Sequence, residues 1–257
     1  MKIKTTLFIA FSVIFFQRSF SQNSTDLVEH YKSYYTQMQK QGDIQGIINA
    51  MTHLLVLEPN IKRQDTLAAL YMNEGKYMQA LNLLGIKKDE LDTDMAIEVK
   101  AVCLKSLNEP VRAIEQYELL FKRMPNVTLA YELADLKIQV NDITGANLKI
   151  TYGLANSKKD MMKPYYETQS TYEVPLKAGF LYLKAISKFR ENQESNHDFA
   201  LEILNECLVI APEFNLAILA KNAINEQKSK REKAKNKQKT NKQIFHLANR
   251  GGLAPLT

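Results

Sequence analysis

The sequence predicts an all-α protein: an α-solenoid of stacked antiparallel helix pairs with a C-terminal capping helix. Three observations carry that expectation. Apolar residues recur at helical spacing over most of the chain. A pattern of turn, amphipathic stretch and proline recurs with its turns at Gly42, Gly75, Asn108 and Asn141, a constant step of 33 residues. Nine Gly and seven Pro in 257 residues are few for a many-turned β design. With 24% charged and 45% hydrophobic residues, the composition suits a globular chain and excludes a disordered one.

The first element is a leader. Lys2 and Lys4 precede Leu7 to Phe16, a run (LFIAFSVIFF) broken only by Ser12. Ser19 and Ser21 then place small residues two apart, with a cut expected before Gln22. This is the three-part secretory signal over residues 1–21. Ten helical residues reach about 15 Å, roughly half a bilayer's hydrocarbon core, so the run is too short to span. No long apolar run follows, and no cysteine stands at the cut to take a lipid anchor. An exported protein, periplasmic or secreted, is expected.

The repeats follow. Gly42 opens GDIQGIINAMTHLLVLEP, and GKYMQALNLL, NEPVRAIEQYELLFKRMP and NDITGANLKI align with it from Gly75, Asn108 and Asn141. A fifth copy, HDFALEILNECLVIAP, starts at His197. Ala80, Ala113, Ala146 and Ala200 share one column, headed by Ile47, and Pro59, Pro125 and Pro212 share another. Gly or Asn at the turn tolerates a left-handed backbone and so ends a helix. Asp43, Glu109 and Asp142 then place a carboxylate near the positive end of the next helix. Pro110 suits a first helical turn. The small column lets paired helices approach, and the late proline ends each second helix. Helix pairs are expected near residues 28–59, 61–92, 94–125, 127–158 and 172–212, with a capping helix from 213. The whole repeat region spans residues 22–227.

Leu67, Ala68, Leu70, Tyr71, Gly75, Tyr77 and Ala80 form the copy that most resembles the tetratricopeptide repeat, and Ala178, Gly179 and Tyr182 resemble the opening of a fifth. The resemblance covers residues 27–212. It departs from the family in having no Trp, with Tyr31 in the usual aromatic place, and in a step one short of the usual value of about 34. A related α-solenoid of looser consensus is the alternative. The leader and its serine–glutamine cut resemble those of exported Bacteroidetes proteins.

The fifth unit is displaced by an insertion, SKKDMMKPYYETQSTYEVP, residues 157–175. Two prolines and a polar composition predict a surface loop, with Tyr165, Tyr166 and Tyr172 as candidate aromatic contacts. Beyond the capping helix, residues 228–243 hold eight Lys/Arg, one Glu and a single apolar residue, Ala234. Residues 228–257 are therefore expected to be a basic, disordered tail, able at most to touch anionic surfaces.

Charge is unevenly divided. The net charge is +6. Residues 22–227 hold 22 basic and 27 acidic residues, leaving −5, while the leader carries +3, residues 228–243 carry +7 and Arg250 adds +1. A nucleic-acid argument from whole-chain basicity fails on that division. Cys103 and Cys207 lie far apart in helical patterns and are expected as separate packed thiols. His30, His53, His197 and His246 are scattered, with no ligand partner at metal-binding spacing. Asp92 and Asp94 fall between units and are expected to solvate a loop. No P-loop, Rossmann glycine pattern or nucleophile elbow is present. No cofactor, no metal and no catalysis are expected.

Binding remains. The resemblance implies that the first helix of each pair lines a concave face. The candidate partner contacts on it are Glu29, Lys32, Thr36, Asp65, Met72, Glu98, Lys105, Tyr131 and Asp135, with Tyr165 and Tyr166 from the insertion. Some family members clamp a terminal carboxylate with paired Lys and Asn. The matching places here are Lys32, Thr36, Thr66, Met95 and Val99, so only the lysine survives and that role is disfavoured. The expected role is a non-catalytic interaction module or scaffold of the cell envelope that holds a protein or peptide. The alternatives are a secretion or outer-membrane assembly factor, and a small-ligand binder or enzyme with a site under the 157–175 loop.

Overall fold

The computed structural model describes residues 24–250, with side-chain surroundings for 25–243. The leader and the last segment lie outside the described residues. The chain divides into two compact units, Met1–Cys103 and Leu104–Thr257.

Unit 1 holds α1 (Ser24–Gln41), α2 (Ile44–Leu57), α3 (Ile61–Asn73) and α4 (Tyr77–Leu84). The division falls within α5 (Asp94–Ser106). Unit 2 continues with α6 (Pro110–Arg123), α7 (Val127–Gln139), α8 (Ile143–Asn156), β1 (Met162–Tyr165), β2 (Tyr172–Pro175), α9 (Leu176–Glu191), α10 (His197–Ile210) and α11 (Asn215–Arg250). The all-α repeat architecture is as expected, and its period is strict. Helices α2, α6 and α8 are each 14 residues long and start at residues 44, 110 and 143. Helices α3, α5 and α7 are each 13 residues long and start at 61, 94 and 127.

The turns explain that period. Gly42, Gly75, Asn108 and Asn141 have φ of 69°, 69°, 59° and 63°. Each ends its helix with the same pair of backbone bonds. Gly42 N–H donates to Gln39 O at 3.2 Å while Asp43 N–H donates to Met38 O at 3.0 Å, and the bonds recur in register at the other three turns. Only Gly and Asn adopt this backbone at low cost, which is why the turn columns carry them. Asp43 and Asp142 then cap α2 and α8, each accepting from a backbone N–H three residues on at 2.9 Å. A second capping column was overlooked in the sequence. Asn60, Thr93 and Asn126, again 33 apart, cap α3, α5 and α7 by accepting from Arg63, Ala96 and Leu129 N–H.

The alanine column is fully buried at Ala80, Ala113, Ala146 and Ala200, as a close helix approach requires. The prolines stand just past the C-termini of α2, α6 and α10. The second repeat lacks one, and α4 accordingly stops early at Gly85, φ 82°. The 85–93 segment replaces its last turns. Asp92 does not solvate that segment. Lys100, 2% exposed, reaches back from α5 to donate to Lys87 O at 3.0 Å and to the Asp92 carboxylate.

The insertion is not an irregular loop. β1 and β2 form an antiparallel hairpin in the register Met162 with Pro175 and Tyr165 with Tyr172. Tyr165 and Val174 turn inward and are buried, which converts a polar insertion into a packed element. The basic segment differs from expectation too. Helix α11 runs 36 residues, through Arg250, so residues 228–250 are helical rather than disordered. Lys, Arg, Gln and Glu are good helix formers, and charge repulsion along an exposed rod does not override that propensity.

Candidate functional site

Unit 1 offers an open depression of about 360 Å3 bounded by α1, α2 and α3. Its floor is apolar: Met51 and Leu54 of α2 are buried, and Tyr35 of α1 lies beside them. Its rim is cationic, with Lys32 from α1 and Lys62 and Arg63 from α3. Arg63 is structurally occupied, donating to Leu54 O at 3.0 Å and to Glu58 O and carboxylate, so it closes the α2–α3 corner. Lys32 makes only loose contacts with Glu29 at 3.5 Å and Glu58 at 3.8 Å. Lys62 forms no ion pair among the described residues. Thr66 donates to Lys62 O at 2.7 Å, completing the wall. Such a surface combines positive potential at its rim with an apolar floor. Cations at a rim favour anionic groups, and an apolar floor favours groups that remove apolar surface from water.

The other expected contacts of unit 1 are dispersed. Glu29, Thr36 and Glu98 are exposed, and Thr36 donates to Lys32 O at 3.0 Å. Met72 is half-buried. Asp65 is not a surface contact: it is 5% exposed and accepts from Thr93 Oγ1 at 2.6 Å, tying α3 to the start of α5. His30 and His53 are exposed. Tyr31, in the aromatic place of the repeat, stacks on His53 at 4.2 Å and so joins α1 to α2.

In unit 2 the hairpin covers the face of α7 that was expected to be free. Tyr131 and Tyr165, read as partner contacts, are buried, and their hydroxyls meet at 2.7 Å. Burial pushes both phenols above their ordinary range. Gly179 of α9 makes room for them, because a Cβ there would stand 2.9 Å from both the Tyr131 ring and the Tyr165 hydroxyl. Phe214 closes the aromatic cluster against Tyr165 at 4.8 Å. Lys163 on β1 lies 4.4 Å from the Tyr131 ring centre and bonds Glu132 at 2.9 Å. Lys105 bonds the other oxygen of Glu132.

Electrostatics separate the two acids of α7. Burial would raise the Glu132 carboxyl, but Lys105 and Lys163 outweigh it and hold the group below the usual carboxylate range. At Asp135 burial wins, and the carboxyl lies above its ordinary range with Gln139 bonded to it at 3.0 Å. Of the expected residues, the fold therefore gathers Lys105, Tyr131, Asp135 and Tyr165 into one structural cluster. Glu132 and Lys163 complete it, and neither was singled out in the sequence, since neither belongs to a repeated column. Tyr166 is 73% exposed at the hairpin tip.

Cys103 and Cys207 are both buried and free. Burial raises their thiols to about 11 and about 12 respectively. Among the described residues no group of three or more His, Cys, Asp or Glu is placed to hold a metal ion, and no helix is long and apolar enough to cross a membrane.

No protein-family model and no curated protein matches the sequence. Solved structures do match by fold. A tetratricopeptide repeat protein from Parabacteroides merdae superposes with a TM-score of 0.58 at 18% identity, over 81% of this chain and 76% of its own. MamA gives 0.53 at 15% identity, over 74% of this chain and 94% of its own. YrrB, described as a TPR protein with an unusual peptide-binding site, gives 0.58 at 12% identity, over 78% of this chain and 98% of its own. With five helix pairs among the described residues, the first four turning at a constant step of 33 residues and the fifth displaced by the hairpin, the chain has the tetratricopeptide-repeat fold.

Proposed function

We propose that this protein is a non-catalytic interaction module of the cell envelope that docks an acidic and apolar segment of a protein partner in the α1–α3 depression. The observation that carries this is the pairing of an apolar floor, Tyr35, Met51 and Leu54, with the rim cations Lys32, only loosely paired, and Lys62. The expected contact face of α7, by contrast, is covered by the chain's own hairpin. The fold is one in which a neighbour, YrrB, carries a peptide-binding site. The envelope setting rests on the leader expected at residues 1–21. The scaffold and assembly-factor readings differ only in the partner's identity.

Affinity capture from envelope extract tests this with the native protein beside a Lys32→Glu/Lys62→Glu variant. Both lysines are exposed and their contacts are weak surface pairs, so the variant should unfold at nearly the same denaturant concentration. The expected result is a retained protein that the variant loses. Equal retention by both would place the contact elsewhere.

A further inference from the structure

Helix α11 changes character along its length. Its first turns belong to the core, with Ala217 and Ile224 buried. Its last ties to unit 2 are Gln227 to Gln193, Lys228 to Asp198 at 2.6 Å and Arg231 to Gln193 O at 2.9 Å. From Glu232 to Gln243 every residue is exposed. The helical rise carries the part beyond Arg231 a further ~28 Å, out to Arg250. At 3.6 residues per turn, Lys228, Arg231, Lys235, Lys239 and Lys242 recur along one side and Lys230, Lys233 and Lys237 along the opposite side. Glu232 is the one acid in residues 228–243, and Ala234 the one apolar residue.

We infer that this part of α11 is a docking rod for an anionic phospholipid surface. Charge complementarity is the driving term. A run of cations near a negatively charged leaflet gains attraction from each lysine within a screening length, and clusters of four to eight are enough for reversible adsorption. The rod has no apolar face, so it adsorbs at the headgroups and does not insert. The rest of the chain from Gln22 to Gln227 carries −5 and is repelled by the same surface. The protein is thereby held to the lipid through α11. The choice of lipid over nucleic acid rests on the envelope reading above, because in that compartment headgroup phosphates are the extended anionic surface at hand.

The test uses the purified chain from Gln22 to its end, which retains every described residue. It is floated with vesicles of one part phosphatidylglycerol to two parts phosphatidylcholine, with pure phosphatidylcholine vesicles, and mixed with a short DNA duplex. All are run at about 0.15 M salt and again at several times that concentration. The comparison is Lys235→Gln/Lys237→Gln/Lys239→Gln/Lys242→Gln, four lysines that make no ion pair among the described residues. Its helical spectrum and unfolding midpoint are read alongside. The expected result is binding to the phosphatidylglycerol vesicles alone. That binding should fall at least tenfold in the variant, since each surface lysine contributes on the order of fivefold, and vanish at high salt. Equal binding to both vesicle types, or undiminished binding by the variant, overturns the inference. Tighter binding to the duplex than to the vesicles reassigns the rod to nucleic acid. The envelope reading is judged separately, by whether the protein in its host begins at Gln22, so failure of one is distinguishable from failure of the other.

Discussion

The Tyr131 and Tyr165 hydroxyls, 34 residues apart, are each other's hydrogen-bond partners at 2.7 Å in the interior of unit 2. Through them the inserted hairpin is bonded to α7, and Gly179 of α9 supplies the space. Removing one hydroxyl leaves the other buried without its partner. Tyr131→Phe and Tyr165→Phe should each cost about 1–3 kcal/mol, and the double variant should cost less than the sum. A denaturant double-mutant cycle measures this. Strict additivity would mean that the two hydroxyls do not interact.

Close packing makes a second prediction. A Cβ at Gly153 of α8 would stand 2.0 Å from the Phe180 ring, which is fully buried. Gly153→Ala should destabilise by about 1–3 kcal/mol through overpacking, despite alanine's better helix propensity. Gly153→Ala/Phe180→Leu should recover part of the loss. A stabilised single variant would show that α8 and α9 are not in contact there.

The two acids of α7 should respond oppositely to pH. The Glu132 carboxyl is depressed, so its contribution is present above the unfolded carboxyl range and lost as pH falls through its lower folded value. Asp135 is raised, so its contribution is full below the unfolded range and lost as pH rises through its higher folded value. At neutral pH, Glu132→Gln should destabilise by about 1–2 kcal/mol and Asp135→Asn should stabilise. In acid both effects should fade. Unfolding midpoints from acid to neutral pH decide this, and effects of the same sign at neutral pH would contradict the assignment.

The framework of the fold was legible because its columns answer to backbone and packing limits that few residues satisfy. Left-handed turns at Gly42, Gly75, Asn108 and Asn141 admit little besides Gly and Asn. The closely packed column at Ala80, Ala113, Ala146 and Ala200 admits only small residues. The hairpin was not legible. Its strands are four residues long, carry Pro164 and Lys163, and are stabilised by Tyr131 and Phe214, distant in sequence. Asp92 was misread for a related reason, since its pairing with the buried Lys100 follows from the fold and not from any local pattern. Composition suggested disorder for residues 228–257 where helix propensity decided the matter up to Arg250. The α1–α3 depression was legible only in Lys32 and Thr66, because its floor comes from α2, read only as a packing element.

The thiols should be inert. Cys103 and Cys207 are buried with raised pKa values, and Cys207 donates to Ala178 O at 3.2 Å. A thiol reagent should label neither in the native chain and both after denaturation. Rapid native labelling of Cys207 would show that α10 opens away from α9.

Site-specific photo-crosslinking in the native host tests the central claim most directly. A photoreactive residue is placed at Lys62 or Thr66 on the depression wall and, as the control, at Tyr166 on the exposed hairpin tip. The account predicts that one and the same protein is captured from Lys62 and from Thr66, and that Tyr166 does not capture it. Capture of that protein from Tyr166, with nothing captured from the depression, would contradict it.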